Sequence, residues 1–207
     1  MNFIDTFTIV EKIKNMKRIV VLFSLIVLIS LKLSAQNIKI EIRTDLGVII
    51  AELYPDKAPV TCANFIKYIE NNKFVGAKFY RVVRMDNQPN NDIKIEVIQG
   101  GLGFDVEESS YPPIVHETTN ETGIMHQNGT LSMARSKPGT ASSEIFICIG
   151  NQPELDFGGK RNLDGQGFAA FGKVIRGMDV VEEIQNLPDK GQMLVKKVNI
   201  ISIIKSQ

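Results

Sequence analysis

Few side chains in this chain of 207 residues offer reactive chemistry, and most of those are quickly accounted for. His116 and His126 stand near Glu117 and Glu121, but nothing around them has the close ligand spacing of a zinc site. His126 is expected to order the loop before the strand that follows it. Cys62 and Cys148 sit among apolar neighbours and lack the C-x-x-C spacing of a redox or metal site. They read as buried, reduced thiols, with pairing in an oxidising compartment as the alternative. Gly100-Gly101-Leu102-Gly103 lacks the lysine and following helix of a phosphate loop and reads as a turn. Phe157-Gly158-Gly159-Lys160-Arg161 reads as a solvated basic turn. None of these groups offers a nucleophile or a ligand set. Arg81, Met133 and Phe146 each lie on a predicted strand. By pattern alone these three are a strand-surface arginine and two core residues.

The elements that would position them are short. Ile38, Ile40 and Ile42 alternate with charged residues, the period of a half-buried strand. Asp45-Leu46-Gly47 turns the chain into a partner strand over Val48 to Tyr54. Pro59 suits the first turn of a helix, with Ala63, Phe65, Ile66 and Ile69 as its inward stripe. Further strands are predicted over residues 78–84, 93–99, 129–134, 144–149, 168–174 and 194–204, with a second helix at 178–186. Val180, Val181 and Ile184 form the inward face of that helix. Met85 to Asp92 is polar and reads as a surface loop. Eight strands and two helices without βαβ alternation point to a mainly β protein, a barrel or a sandwich.

Composition narrows the function classes. The formal net charge is +1, so no nucleic-acid partner is expected. The basic cluster Met16-Lys17-Arg18 precedes a mostly apolar run from Ile19 to Leu31, and Leu33-Ser34-Ala35 offers a cleavage point before Gln36. Residues 1–35 therefore read as a secretory signal peptide, with Met16 as a possible true start and residues 36–207 as the functional domain. The run is shorter than the roughly 20 residues of a spanning helix. An uncleaved tether through residues 19–33 at the inner membrane is the alternative to periplasmic release. After cleavage the domain carries a net charge of −2.

Several short motifs then fall into a familiar order. Ala58-Pro59-Val60-Thr61, Asn64-Phe65, Phe79-Tyr80-Arg81-Val82-Val83 and Gln99-Gly100-Gly101 are followed by Gly129-Thr130-Leu131-Ser132-Met133-Ala134-Arg135. Next come Ser143-Glu144-Ile145-Phe146-Ile147, Leu163-Asp164-Gly165 and Phe171-Gly172-Lys173-Val174. From about Ile38 to Ile203 the chain resembles the cyclophilin-type peptidyl-prolyl cis-trans isomerases, and Leu-Ser-Met-Ala-Arg resembles their bacterial, exported branch. The resemblance implies a closed eight-stranded antiparallel β-barrel capped by two α-helices. It also implies isomerisation of X–Pro bonds without metal or organic cofactor. The expected partners are proline-containing segments of unfolded or folding exported proteins, bound by a monomer.

The resemblance also implies a site. Arg81 matches the catalytic arginine, Phe146 the proline-pocket phenylalanine, Met133 and Ala134 the substrate-packing segment, and Leu163 the pocket rim. Tyr80, Gln99, Glu144 and Phe168 fall at substrate-binding positions. Three positions depart from the family pattern. Tyr80 replaces a histidine, Glu144 replaces a glutamine, and Glu96-Val97-Ile98 stands where the family places an aromatic and then a methionine facing the groove. Gly167-Phe168 also replaces a segment that carries histidine in many eukaryotic members. Glu144 is expected to pair bidentately with Arg81, so that its replacement by glutamine would raise activity. A proline-segment binding module of weak catalytic power is the alternative reading.

Overall fold

The computed structural model describes residues 11–17, 36–103 and 111–206. The chain divides into two units, residues 1–35 and 36–207. In the first, residues 11–17 are helical, and the rest of the expected leader lies outside the described residues. No helix among the described residues is long and apolar enough to cross a membrane.

The second unit holds nine strands among its described residues: β1 (Ile38–Thr44), β2 (Gly47–Leu53), β3 (Lys78–Val83), β4 (Val97–Gly101), β5 (Thr130–Met133), β6 (Ile145–Cys148), β7 (Ala169–Arg176), β8 (Asp189–Lys190) and β9 (Met193–Lys205). They form one antiparallel sheet in the order β1-β2-β7-β5-β6-β4-β3-β9-β8. Pairing of β1 with β9 closes it. Eight strands make the expected barrel, and the two-residue β8 hangs on β9. Closure leaves the first and last long strands no free edge. Ile40, Ile42, Ile49, Ala51, Leu53, Phe79, Ile98, Leu131 and Phe171 fill the interior, each wholly buried.

Helix α1 (Pro59–Glu70) begins at its proline, and Ala58 offers no capping side chain. The Glu117 carboxylate supplies the missing acceptor from far along the chain. It takes the Val60 N–H at 3.1 Å, the Thr61 N–H at 2.8 Å and the Thr61 hydroxyl at 2.6 Å. A carboxylate at that end also complements the helix dipole. The buried face is Thr61, Cys62, Asn64, Phe65, Tyr68 and Ile69. Ala63, expected on it, is exposed, because Cys62 and Tyr68 take the inward positions. Helix α2 (Thr119–Thr122) is one turn closed by a Thr118/Glu121 capping box. Helix α3 (Met178–Gln185) buries Val181 and Ile184 as expected, whereas Val180 is only partly buried.

Both cysteines are free and buried, and burial pushes the Cys62 thiol up to about 12. Residues 93–96, expected to be extended, lie outside any strand. The Gln88 side-chain amide bonds the backbone of Ile95 there, donating to its carbonyl at 2.8 Å and accepting its N–H at 3.3 Å. Gly100 and Gly101, expected to turn, instead finish β4. The reason is close approach: a Cβ on Gly100 would lie 2.6 Å from the Lys78 carbonyl oxygen. Gly100→Ala should therefore destabilise the domain by about 1–3 kcal/mol, read as a lower urea midpoint. An unchanged midpoint would show that β3 and β4 can part without cost.

Candidate active site

Side chains on successive strand residues point to opposite faces, so every strand that fills the barrel also has an outer row. On β6, Ile145 and Ile147 join the interior. Phe146 and Cys148 join a second buried cluster with Val83, Ile95, Val97 and Leu155, against which Ala134 and Phe168 pack. This second cluster is the floor of a cleft of about 430 Å³ whose lining includes Arg81, Gln99, Ala134, Glu144, Phe146 and Phe168.

A β-bulge in β3 brings the polar residues to that face. Phe79 pairs with Gly100 and Arg81 with Gln99, and the register shifts between them. Tyr80 is the extra residue, and bulges re-aim side chains in this way. Both Tyr80 and Arg81 consequently reach Gln99. The Arg81 Nη1 donates to Gln99 Oε1 at 2.7 Å. Gln99 Nε2 donates to the Tyr80 hydroxyl oxygen at 3.1 Å. That hydroxyl donates to Glu144 Oε2 at 2.5 Å. The polarity of the chain follows from its end. An ionised carboxylate only accepts, so the phenol donates its hydrogen bond to Glu144 and accepts from the glutamine amide. The amide carbonyl is thereby turned to the guanidinium. Burial, then the hydrogen bond and charge of Glu144, push the Tyr80 phenol well above its ordinary value.

Arg81 is clamped from its other side by Gln192, whose Oε1 accepts from Nε at 3.1 Å and from Nη2 at 2.6 Å. Gln192 adopts a left-handed backbone (φ 72°), unusual for a residue with a Cβ. Its backbone N–H donates to Asp189 at 2.8 Å and its amide N–H donates to the Asn87 carbonyl at 3.1 Å. Asp189 in turn pairs with Arg84 and accepts from Asn87 Nδ2 at 3.2 Å. The loop expected to be mere surface thus orients the second glutamine. Burial pulls the Arg81 guanidinium down from its ordinary value, yet an arginine keeps its charge at neutral pH. Three of its five N–H groups are used, all by neutral amides.

The expected Glu144–Arg81 pair is absent among the described ion pairs. Besides Tyr80, Glu144 accepts the Gly103 N–H at 2.9 Å and the Ser143 hydroxyl at 3.1 Å. Gly101 makes room for it, since a Cβ there would meet Glu144 Oε1 at 2.5 Å. Two other expected residues stand elsewhere. Met133 is 1% exposed and belongs to the barrel interior, because strand alternation gives the outer face to Ser132 and Ala134. Leu163 is fully exposed at 107% and does not line the cleft. Leu155, on the 3₁₀ turn Pro153–Leu155, provides the apolar wall instead, together with Ile95 and Val97.

Beneath the floor, His126 is buried and stacks on Phe146, with ring centroids 5.8 Å apart and planes at 15°. Its Nδ1 lies 2.6 Å from Asp156 Oδ1 and its Nε2 2.9 Å from Ser132 Oγ. The carboxylate only accepts, so Nδ1 carries a proton toward it. All three are buried, so the arrangement holds Phe146 from below and presents no nucleophile to the cleft. Phe168 meets Phe146 edge-on at 5.2 Å and lies 5.1 Å under the Arg135 guanidinium. Arg135 is bound bidentately by Asp164 at 2.8 and 2.9 Å and also donates to the Gly167 carbonyl. Gln192, Leu155, Gly101 and the His126–Asp156 pair were not legible as site residues.

A cleft with an apolar floor and a clamped, unneutralised guanidinium on a closed barrel can hold a polarisable group beside an apolar ring. Comparison with known proteins agrees. Residues 39–205 match the family model of cyclophilin type peptidyl-prolyl cis-trans isomerases. A peptidyl-prolyl cis-trans isomerase of Acinetobacter baylyi is 40% identical over 156 residues, covering 73% of this chain and 74% of its own. Peptidyl-prolyl cis-trans isomerase B of Escherichia coli is 34% identical over 148 residues, covering 70% and 82%. The crystal structure of a Cryptosporidium parvum cyclophilin superposes with a TM-score of 0.65 at 22% identity, covering 83% of this chain and 99% of the other. The chain belongs to the cyclophilin-type peptidyl-prolyl cis-trans isomerases and acts on proline-containing peptides.

The Arg135–Asp164 pair gives a pH test. Hydrogen bonds from Arg135 hold the Asp164 carboxyl down at about 2. A depressed carboxyl adds stability above its unfolded value and loses it as pH falls toward its folded value. Asp164→Asn should thus lower the melting temperature at pH 6, by an amount limited by solvent screening, and the gap should close between pH ~4 and ~2. A gap undiminished at the acid end would overturn the assignment.

Proposed function

We propose that this isomerase serves exported polypeptides as a member of the bacterial exported branch. In this reading Arg81 stabilises the twisted X–Pro amide beside an apolar pocket formed by Phe146, Ala134, Leu155 and Phe168. Rotation about the peptide bond costs about 18–20 kcal/mol because the nitrogen lone pair is shared with the carbonyl. Twisting localises that lone pair and makes the nitrogen a hydrogen-bond acceptor. A donor aimed at it binds the transition state better than either planar form, which is what catalysis requires. The chemistry needs no nucleophile, base or metal. The cleft floor holds the pyrrolidine ring while the preceding carbonyl swings.

The observation that carries this reading is the amide clamp on Arg81. Gln99 and Gln192 hold the guanidinium at 2.6 to 3.1 Å without neutralising it, and leave two N–H groups for substrate. Glu144 and Tyr80 act through Gln99. Glu144→Gln should therefore lower activity, since an amide N–H facing the phenol would reverse the chain and turn the Gln99 NH₂ toward Arg81. The test is nuclear magnetic resonance exchange on X–Pro peptides. Arg81→Ala should lose about tenfold or more in kcat/KM, equivalent to ~1.4 kcal/mol, and Tyr80→Phe and Glu144→Gln should lose less, with folds intact. A near-wild-type rate for Arg81→Ala would refute the role, and a faster Glu144→Gln would refute the relay.

The export reading is supported by Met16-Lys17-Arg18, the apolar run after it and the Leu33-Ser34-Ala35 cleavage point. Intact mass of the protein from the cell envelope should correspond to a chain starting at Gln36. Full-length protein pelleting with membranes would mean tethering, and full-length protein in the cytosol would overturn export.

A further inference from the structure

Among the described residues, the cleft carries more positive charge than its walls compensate. Its described lining includes Arg81, Arg135 and Arg161 and one carboxylate, that of Glu144. Arg135 is paired with Asp164. Arg81 bonds only the neutral amides of Gln99 and Gln192. Arg161 donates one hydrogen bond, from Nη1 to the Ile93 carbonyl at 2.5 Å, and its backbone N–H to the Glu154 carbonyl at 3.1 Å. The Glu154 carboxylate takes the Lys160 N–H at 2.8 Å. No ion pair joins Arg161 or Arg81 to any described carboxylate. Glu144, the remaining anion of the described lining, already receives donors from Tyr80, Gly103 and Ser143.

A partly buried arginine with no carboxylate partner among the described residues and most of its donor fork open has the chemistry of an anion site. Burial, and then the charge of Arg81, pull the Arg161 guanidinium down from its ordinary value, so the two cations feel each other across the cleft. A neutral substrate leaves that repulsion in place. A substrate carboxylate at Arg161 relieves it while Arg81 stays held by its two amides.

Resting on the isomerase reading of this cleft, we infer that Arg161 is a specificity-determining residue that selects substrates with an acidic side chain next to the proline. The preference belongs to electrostatics at partial exposure. It should be worth a few-fold, about threefold or more in kcat/KM, and should shrink with salt.

The test uses the full domain and three peptide series that carry Glu, Ala or Lys, first before and then after the proline, assayed by magnetization exchange at low and high salt. The expected order at one or both flanking positions is Glu over Ala over Lys, with the ratio compressed at high salt. Arg161→Gln should bring the Glu/Ala ratio toward one, and Arg161→Glu should reverse the order in favour of Lys. Equal rates for all wild-type peptides, or a Glu preference unchanged in both variants, would overturn the inference while leaving the isomerase reading standing. Absence of exchange with every peptide would instead remove that reading itself.

Discussion

A guanidinium can be held still in two ways, and the choice decides what it can do next. A carboxylate partner holds it tightly but cancels its charge. Amide carbonyls hold it with nearly the same geometry and leave the charge uncancelled. Arg81 is held the second way, between Gln99 on the neighbouring strand and Gln192 at the start of the last one. Much of the surrounding structure exists to make two amides face one cation. The bulge in β3 brings Arg81 opposite Gln99. The left-handed turn at Gln192 and its bond to Asn87 aim the second carbonyl.

Two of the positions that depart from the family pattern, Tyr80 and Glu144, gain their meaning from this clamp. Taken singly, a tyrosine for histidine and a glutamate for glutamine each look like a loss of function. In the fold they are partners. The carboxylate of Glu144 accepts the hydrogen bond of the Tyr80 hydroxyl, and the phenol oxygen in turn accepts from Gln99. An acceptor at one end and a cation at the other fix the direction of every hydrogen bond between them. Buried polar chains are costly unless all members are satisfied, and here each has its partner. Gly101 belongs to the same device, since only a residue without Cβ lets the carboxylate pass.

Fold and cleft are also one object mechanically. The strands that fill the barrel with Ile145 and Ile147 present Phe146 and Cys148 on the other side. The cleft floor is therefore the outer surface of a close-packed core, and close-packed interiors yield little. Phe146 is further fixed from below by the stacked ring of His126, itself tied to Asp156 and Ser132. A rigid floor suits a reaction in which one part of the substrate is held while another turns.

The amino-acid sequence alone determined the eight barrel strands in outline, the two main helices and the family, because alternation, a first-turn proline and ordered motifs are local signals. It also marked Arg81, Phe146, Ala134 and Phe168, which the structure brings to one cleft. It misplaced Met133 and Leu163. The inward or outward sense of Met133 depends on the register of β5 in the closed sheet, and the exposure of Leu163 depends on how its loop leaves Leu155 to fill the wall. The carboxylate caps, the Glu144–Tyr80–Gln99 chain and the Gln192 clamp join residues dozens of positions apart. Hydrogen bonds of that kind have no spacing rule. They exist only once barrel closure has set which strand ends meet, and so only the tertiary structure could decide them.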